Sequence, residues 1–201
     1  SMGNKFLLAS DPTNALEWMI FLAGKYKSLF VQGTVMTLYV AVIGTALGFL
    51  LGYLVGIIED IRVSREGSPV KRILVRILKV ISLLYVEIFR GTPMIVQGMI
   101  IYYGLRQSGV EISSPAAGVL VTVLNTGAYM SETVRAGIKS IDGGQREGAL
   151  ALGMSPIGAM FQVVLPQAFR NIIPEMVNTF LTNLKMTSVL NVIGVSELFM
   201  M

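Results

Sequence analysis

The chain has 201 residues, 53% of them hydrophobic and 14% charged, with a mean hydropathy of +0.68. A soluble domain carries about 25% charged residues, so the composition points to a membrane protein. With neither cysteine nor histidine, the sequence excludes disulfides, thiolate nucleophiles, most zinc sites and imidazole acid–base chemistry.

Ser1-Met2-Gly3 reads as a scar of expression cloning and is set aside. The first residues lack a basic stretch followed by an apolar core and do not read as a signal peptide. Ala15 to Leu22 is a short apolar run ending in Lys25 and Lys27. It is expected to lie in the membrane interface, with Trp18 and Tyr26 at headgroup level. Residues 1–27 are therefore read as scar and interfacial segment, and 28–201 as the membrane domain.

Ser28 to Ile58 holds no charge and is long enough to span with tilt. Within it, Gly44, Gly48, Gly52 and Gly56 form a ridge at four-residue spacing, expected to let another helix approach closely, within the subunit or from a partner. Glu59 to Lys79 is a polar break in which Arg72, Arg76 and Lys79 keep helical spacing. A second helix is thus expected to start outside the bilayer, enter it near Val80 and run to about Tyr103. Pro93 lacks a backbone donor, so a break is expected at Gly91-Thr92-Pro93.

Ser114-Pro115 predicts an N-cap followed by proline at the first helical position, with a third helix over Ala116 to Ala136. Asp142-Gly-Gly-Gln145 has capping-box spacing and predicts a short helix that Gly153 ends. Ser155-Pro156 predicts another helix, and Pro166 is expected to interrupt it. Gly148 to Phe169 is uncharged, but two prolines, two glutamines and Gly153 divide it into short pieces. The fourth span is therefore placed at Gln167 to Met186, and Thr187 to Met201 is too short to cross alone.

Orientation follows from Lys and Arg near span ends. With the N-terminus outside, ten basic residues from Arg62 to Arg170 lie inside, against Lys5, Lys25, Lys27 and Arg106 outside. The segment around Glu147 then faces the cytoplasm.

Ionisable groups inside a span cost at least ~2.5–3.5 kcal/mol and usually face a bundle interior or a watery path. Glu87 and Arg90 in the second helix, Glu132 in the third and Lys185 late in the fourth meet that description. Asn125, Asn178 and Asn183 are further buried polar candidates. These groups suit a path for a zwitterion, with Arg90 or Lys185 near its carboxylate and Glu87 or Glu132 near its ammonium. Thr92 and Pro93 would expose backbone groups there. They also suit plain ion pairing: Glu87 and Arg90 are three residues apart and can satisfy each other.

Glu147-Gly-Ala-Leu-Ala-Leu-Gly153, then nine residues, then Val163-Val-Leu-Pro166, resembles the EAA loop of ABC importer permeases. Phe89-Arg-Gly-Thr-Pro93, Arg135-Ala-Gly137, Leu165-Pro-Gln-Ala168 and Val192-Ile-Gly-Val195 resemble the polar amino acid subgroup, in register from about Lys27 to the C-terminus. Gly148 and Val163 depart from the motif's alanine and isoleucine, and Met186 stands where the subgroup commonly has aspartate. The resemblance implies an all-α membrane protein, a type I ABC importer transmembrane domain. It would have about four spans here, an N-terminal interfacial helix and a coupling loop at about 139–166. The family continues past a Glu-Leu like Glu197-Leu198 into a final helix that these 201 residues do not contain.

The same resemblance implies that Glu147, Gly148, Ala149, Leu152, Gly153 and Pro166 form the contact with an ATPase. Ala149 and Ala151 would allow close docking, Leu150 and Leu152 would fill a groove, and Gly143-Gly144 and Gly153 would turn the chain sharply at either end. The implied partners are ABC ATPase subunits carrying ATP and Mg, and a second permease subunit, either identical or similar. An extracytoplasmic binding protein or a fused binding domain would deliver a polar amino acid. The implied setting is a bacterial-type cytoplasmic membrane crossed several times, with the N-terminus outside. The chain has no phosphate-binding loop, so hydrolysis belongs to another chain. Its basic residues lack interleaved aromatics for nucleic acid and suit anionic lipid headgroups. A gradient-driven amino acid transporter or channel explains the buried charges equally well but leaves the loop without a role. A membrane scaffold is a further alternative.

Overall fold

The computed structural model describes residues 14–61 and 68–195, and all regular structure among them is helical. Helices α1 (Ala15–Lys25), α2 (Lys27–Asp60), α3 (Pro69–Gly91) and α4 (Met94–Gln107) are followed by α5 (Ser114–Lys139) and α6 (Gly143–Ala151). Helix α7 (Pro156–Ala159) leads through a π-helical turn (Met160–Val164) into α8 (Leu165–Met186), and a 3-10 helix (Thr187–Ile193) follows. Arg62, Arg65, Lys5, Glu197 and Leu198, used in the sequence reading, lie outside the described residues.

Among the described residues, α2 is the helix long and apolar enough by itself to cross a membrane. Its 34 residues reach about 51 Å, more than the ~30 Å hydrocarbon core. Helix α1 buries no residue and meets α2 at Tyr26 with almost no linker. Helix α3 turns Ile73, Ile77, Ile81, Leu84 and Ile88 outward in one stripe. A continuous exposed apolar stripe is what a lipid-facing or partner-facing helix carries.

Helices α2 and α5 form the principal pair, and the glycine ridge is their contact. A Cβ at Gly44 would lie 2.6 Å from Thr122 Cγ2, one at Gly48 2.6 Å from Thr126 Cβ, and one at Gly52 2.5 Å from Met130 Cβ. At Gly56 the Ser131 carbonyl would be 2.8 Å away. Two apolar cores flank this seam. One gathers Val40, Val121, Leu190 and Ile193, and the other Met130, Val134, Val164 and Ile172.

Three local expectations are corrected. Ser113, not Ser114, caps α5: its hydroxyl accepts from the Ala116 N–H at 3.4 Å, and Ser114-Pro115 open the first turn. Pro166 does not interrupt the helix begun at Pro156. The chain widens through the π turn, where the Leu165 N–H reaches the Met160 carbonyl, and Pro166 falls in the first turn of α8. The wider turn relieves the clash between a proline ring and the preceding turn. Gly143 and Gly144 have no positive φ. Both lie in the first turn of α6, and the chain turns before them at Asp142.

Candidate functional site

The break between α3 and α4 builds one wall of a cavity of about 570 Å³. Pro93 removes the N–H that would serve the Phe89 carbonyl four residues earlier. The Gln97 side chain replaces it, with Nε2 donating to the Phe89 carbonyl at 2.7 Å and the Thr92 carbonyl at 2.9 Å. Thr92 Oγ1 donates to the Ile88 carbonyl at 2.7 Å. The Ile88, Phe89 and Thr92 carbonyls at the break are therefore served locally by side chains.

Across the cavity stand α5 and α8. Asn183 of α8 is buried and donates to Thr45 Oγ1 of α2 at 2.7 Å and Thr126 Oγ1 of α5 at 2.9 Å. This one amide fastens three helices behind the lining. The ionisable lining is Arg90, Glu132 and Glu175. Arg90 Nη1 lies 4.0 Å from Glu132 Oε1, and its guanidinium sits 5.6 Å from the Tyr129 ring centroid. Glu132 is also hydrogen-bonded to Arg135, whose Nε lies 3.7 Å from Glu59 Oε2. Glu59 has a side chain only 6% exposed, and Lys79 Nζ donates to its carbonyl at 2.8 Å. Glu132 thus lies between two guanidiniums.

Of the predicted pathway residues, Arg90, Thr92, Pro93 and Glu132 meet at this cavity, and Glu87 and Lys185 do not line it. Glu87 is exposed on another face of α3, so the expected Glu87–Arg90 pair is replaced by Arg90–Glu132. Lys185 is exposed as well, and Asn178 is exposed rather than buried. Asn125 lines the cavity and Asn183 both lines it and is buried. Glu175, Thr179 and Thr182 were missed. Their spacing of four and three along α8 marks one helix face, but the sequence does not say which face the cavity takes.

The predicted loop residues form a separate feature at the end of the bundle where α2 finishes. Asp142 caps α6, its Oδ1 accepting from the Gly144 N–H at 2.6 Å. The reciprocal half of the capping box is absent: the Gln145 amide oxygen accepts from Gln167 Nε2 at 3.4 Å. At the other end, Gly153 takes φ +85°, the Gly153 N–H bonds the Leu150 carbonyl at 3.0 Å, and the Met154 N–H bonds the Ala149 carbonyl at 3.1 Å. This is a Schellman closure, which needs a residue that tolerates positive φ. Arg146 Nη1 lies 4.0 Å from Asp60 Oδ2, tying α6 to the end of α2.

Glu147, Gly148, Leu152, Gly153 and Pro166 are exposed, with Leu152 88% exposed. Ala149 is not available for docking. It is 6% exposed and seats α6 on its own chain. Among the described residues no group of three metal-ligating side chains occurs.

The family model of the binding-protein-dependent transport system inner membrane component matches residues 67–201. The arginine transport system permease protein of Bacillus subtilis is 38% identical over 169 residues, 83% of this chain and 71% of that protein. The glutamine transport system permease protein of Escherichia coli K12 is 36% identical over 172 residues, 85% of this chain and 73% of that protein. The crystal structure of an amino acid ABC transporter with histidines superposes with a TM-score of 0.75 at 35% identity, covering 94% of this chain and 80% of that one. An inward-facing methionine ABC transporter, MetNI, has the same fold, with a TM-score of 0.68 at 23% identity over 86% of this chain and 78% of that one.

Proposed function

Because the chain belongs to the binding-protein-dependent transport system inner membrane component family, we propose that its cavity passes a basic amino acid and that α6 receives force from an ATPase. The chain is the permease component of an ABC-type polar amino acid importer, a non-catalytic transport subunit distinct from the ATPase. The observation that carries the finer reading is the cavity's lining: Glu132 and Glu175 against Arg90, in a volume of about 570 Å³. That volume falls within the roughly 300–1,000 Å³ of small-molecule pockets and has room for one amino acid. The excess carboxylate favours a cargo with a cationic side chain over a neutral or acidic one. The threonines and the Thr92 region offer neutral hydrogen-bonding groups around it.

The exposed Leu152 and Glu147 on a short helix capped at both ends supply a stiff docking element for an ATPase that carries ATP and Mg. The Arg146–Asp60 contact supports transmission from α6 to the bundle. A second permease subunit, identical or similar, would cover part of the outward apolar stripes, and lipid the rest. About four helices would cross a bacterial-type cytoplasmic membrane, α2, the α3–α4 pair, α5 and α8. The N-terminus would lie outside, and a binding protein or fused binding domain would feed the cavity from there. The placement of α6 beside the end of α2 supports that orientation, since the basic start of α3 lies at the same end.

The test isolates the cavity from the binding protein. The permease is purified with its native ATPase, and equilibrium binding of tritiated L-arginine, L-glutamine and L-glutamate is measured. L-Arginine is expected to bind and L-glutamate not to, with Glu175→Gln weakening L-arginine. Equal binding of L-glutamate would overturn the basic-cargo reading.

A further inference from the structure

Gln97 is 5% exposed and does not line the cavity, yet its side chain touches both sides of the wall. Its Nε2 is held by acceptors: the Phe89 carbonyl, the Thr92 carbonyl and, at 3.0 Å, Thr92 Oγ1. Backbone carbonyls only accept, so these contacts fix which end of the Gln97 amide is the NH2. Gln97 Oε1 must then point the other way, and it accepts from Asn125 Nδ2 of α5 at 3.2 Å. That bond in turn fixes the Asn125 amide. Asn125 lines the cavity, and its Oδ1 takes no hydrogen bond among the described residues.

We propose that Gln97 is a positioning residue for cargo specificity: anchored on the helix break at Pro93, it orients the Asn125 amide so that its carbonyl oxygen, not its NH2, faces the cargo. The cavity then presents an acceptor to the N–H groups of a cationic cargo at a point where a free asparagine would present either end. The break itself supplies the polarity. Pro93 leaves the Phe89 carbonyl without a donor, that carbonyl draws the Gln97 NH2, and the orientation passes through one more hydrogen bond to Asn125. The inference rests on the cavity being the cargo path.

The experiment measures the L-arginine Kd of the permease–ATPase complex for Asn125→Leu, Asn125→Asp, Gln97→Met and the pair Gln97→Met with Asn125→Asp. Loss of one hydrogen bond to a charged ligand corresponds to about tenfold. Asn125→Leu and Gln97→Met are each expected to raise Kd about tenfold. Asn125→Asp sets a carboxylate oxygen against Gln97 Oε1, two acceptors with no donor between them, so with Gln97 in place it is expected to raise Kd. Gln97→Met removes the opposing acceptor, so in the Asn125→Asp background it should instead bring Kd back to within about threefold of the wild type, since either carboxylate oxygen can accept from the cargo. A merely structural role for Gln97 would weaken binding equally in both backgrounds, and that result overturns the proposal.

An unchanged Kd in Gln97→Met with a raised Kd in Asn125→Leu overturns the positioning role and leaves the cavity reading standing. An unchanged Kd in Asn125→Leu removes the cavity reading, and the proposal with it. Should Gln97→Met fail to assemble, adding Pro93→Ala returns a backbone donor to the Phe89 carbonyl. Recovery of a complex with about tenfold weaker binding supports the proposal. No recovery, or recovery with the wild-type Kd, overturns it.

Discussion

Helix α6 is closed by its own sequence neighbours, Asp142 at one end and Gly153 at the other. The cavity has no such local grammar. Arg90 and Thr92 reach it from a helix break, Asn125 and Glu132 from α5, and Glu175 from α8. One region is set by turns a few residues long, and the other by how three long helices are rotated against each other. Damage to the first should change how motion is delivered. Damage to the second should change what is bound.

The largest effect is expected from Gly153→Pro. Proline cannot adopt φ +85° and has no N–H for the Leu150 carbonyl, a defect of about 3 kcal/mol or more. Coupled uptake should fall about a hundredfold or more while membrane insertion and ATP hydrolysis persist. Retained coupled uptake would count against the role of α6. Gly52→Ala should strike both regions alike, because the new Cβ meets Met130 at 2.5 Å on the α2–α5 seam. Overpacking of this kind costs about 1–3 kcal/mol, and a lower Tm of the purified complex checks it. Asp142→Ala removes only the α6 cap, at about 1 kcal/mol. Uptake turnover should drop up to about fivefold with the L-arginine Kd unchanged, and a shifted Kd would blur the division between the regions. The smallest effect is reserved for Glu87→Gln. Glu87 is exposed outside the cavity, so Kd should move by less than about twofold.

The same division governs what the sequence discloses. The uncharged run of α2, the break at Pro93 and the caps at Asp142 and Ser155 are visible because each depends on residues within a turn of one another. The shift of the α5 cap from Ser114 to Ser113 is a one-residue choice between equivalent hydroxyls. Continuity through Pro166 was hidden because a π turn has no sequence pattern of its own. Ala149 reads as a docking residue until its seat beneath α6 is seen. Charge inside a span singles out Arg90 and Glu132, which line the cavity, together with Glu87 and Lys185, which do not, and it passes over Glu175. Charge inside a span narrows the candidates, and helix rotation, a tertiary property, selects among them. Gln97 was invisible for a further reason, since it acts through hydrogen bonds to carbonyls that no sequence pattern reports.

The most direct measurement is a paired assay of L-arginine binding and of ATP hydrolysed per L-arginine imported, on the reconstituted transporter carrying Glu175→Gln or Glu147→Arg. Glu175→Gln should weaken binding about tenfold, as loss of a charged contact does, with the ATP-to-cargo ratio unchanged. Glu147→Arg should leave binding unchanged and raise the ratio, or abolish uptake by losing the ATPase. If both substitutions move the same quantity, or if Glu147→Arg imports with normal coupling, the assignment of cargo to the cavity and force to α6 is wrong.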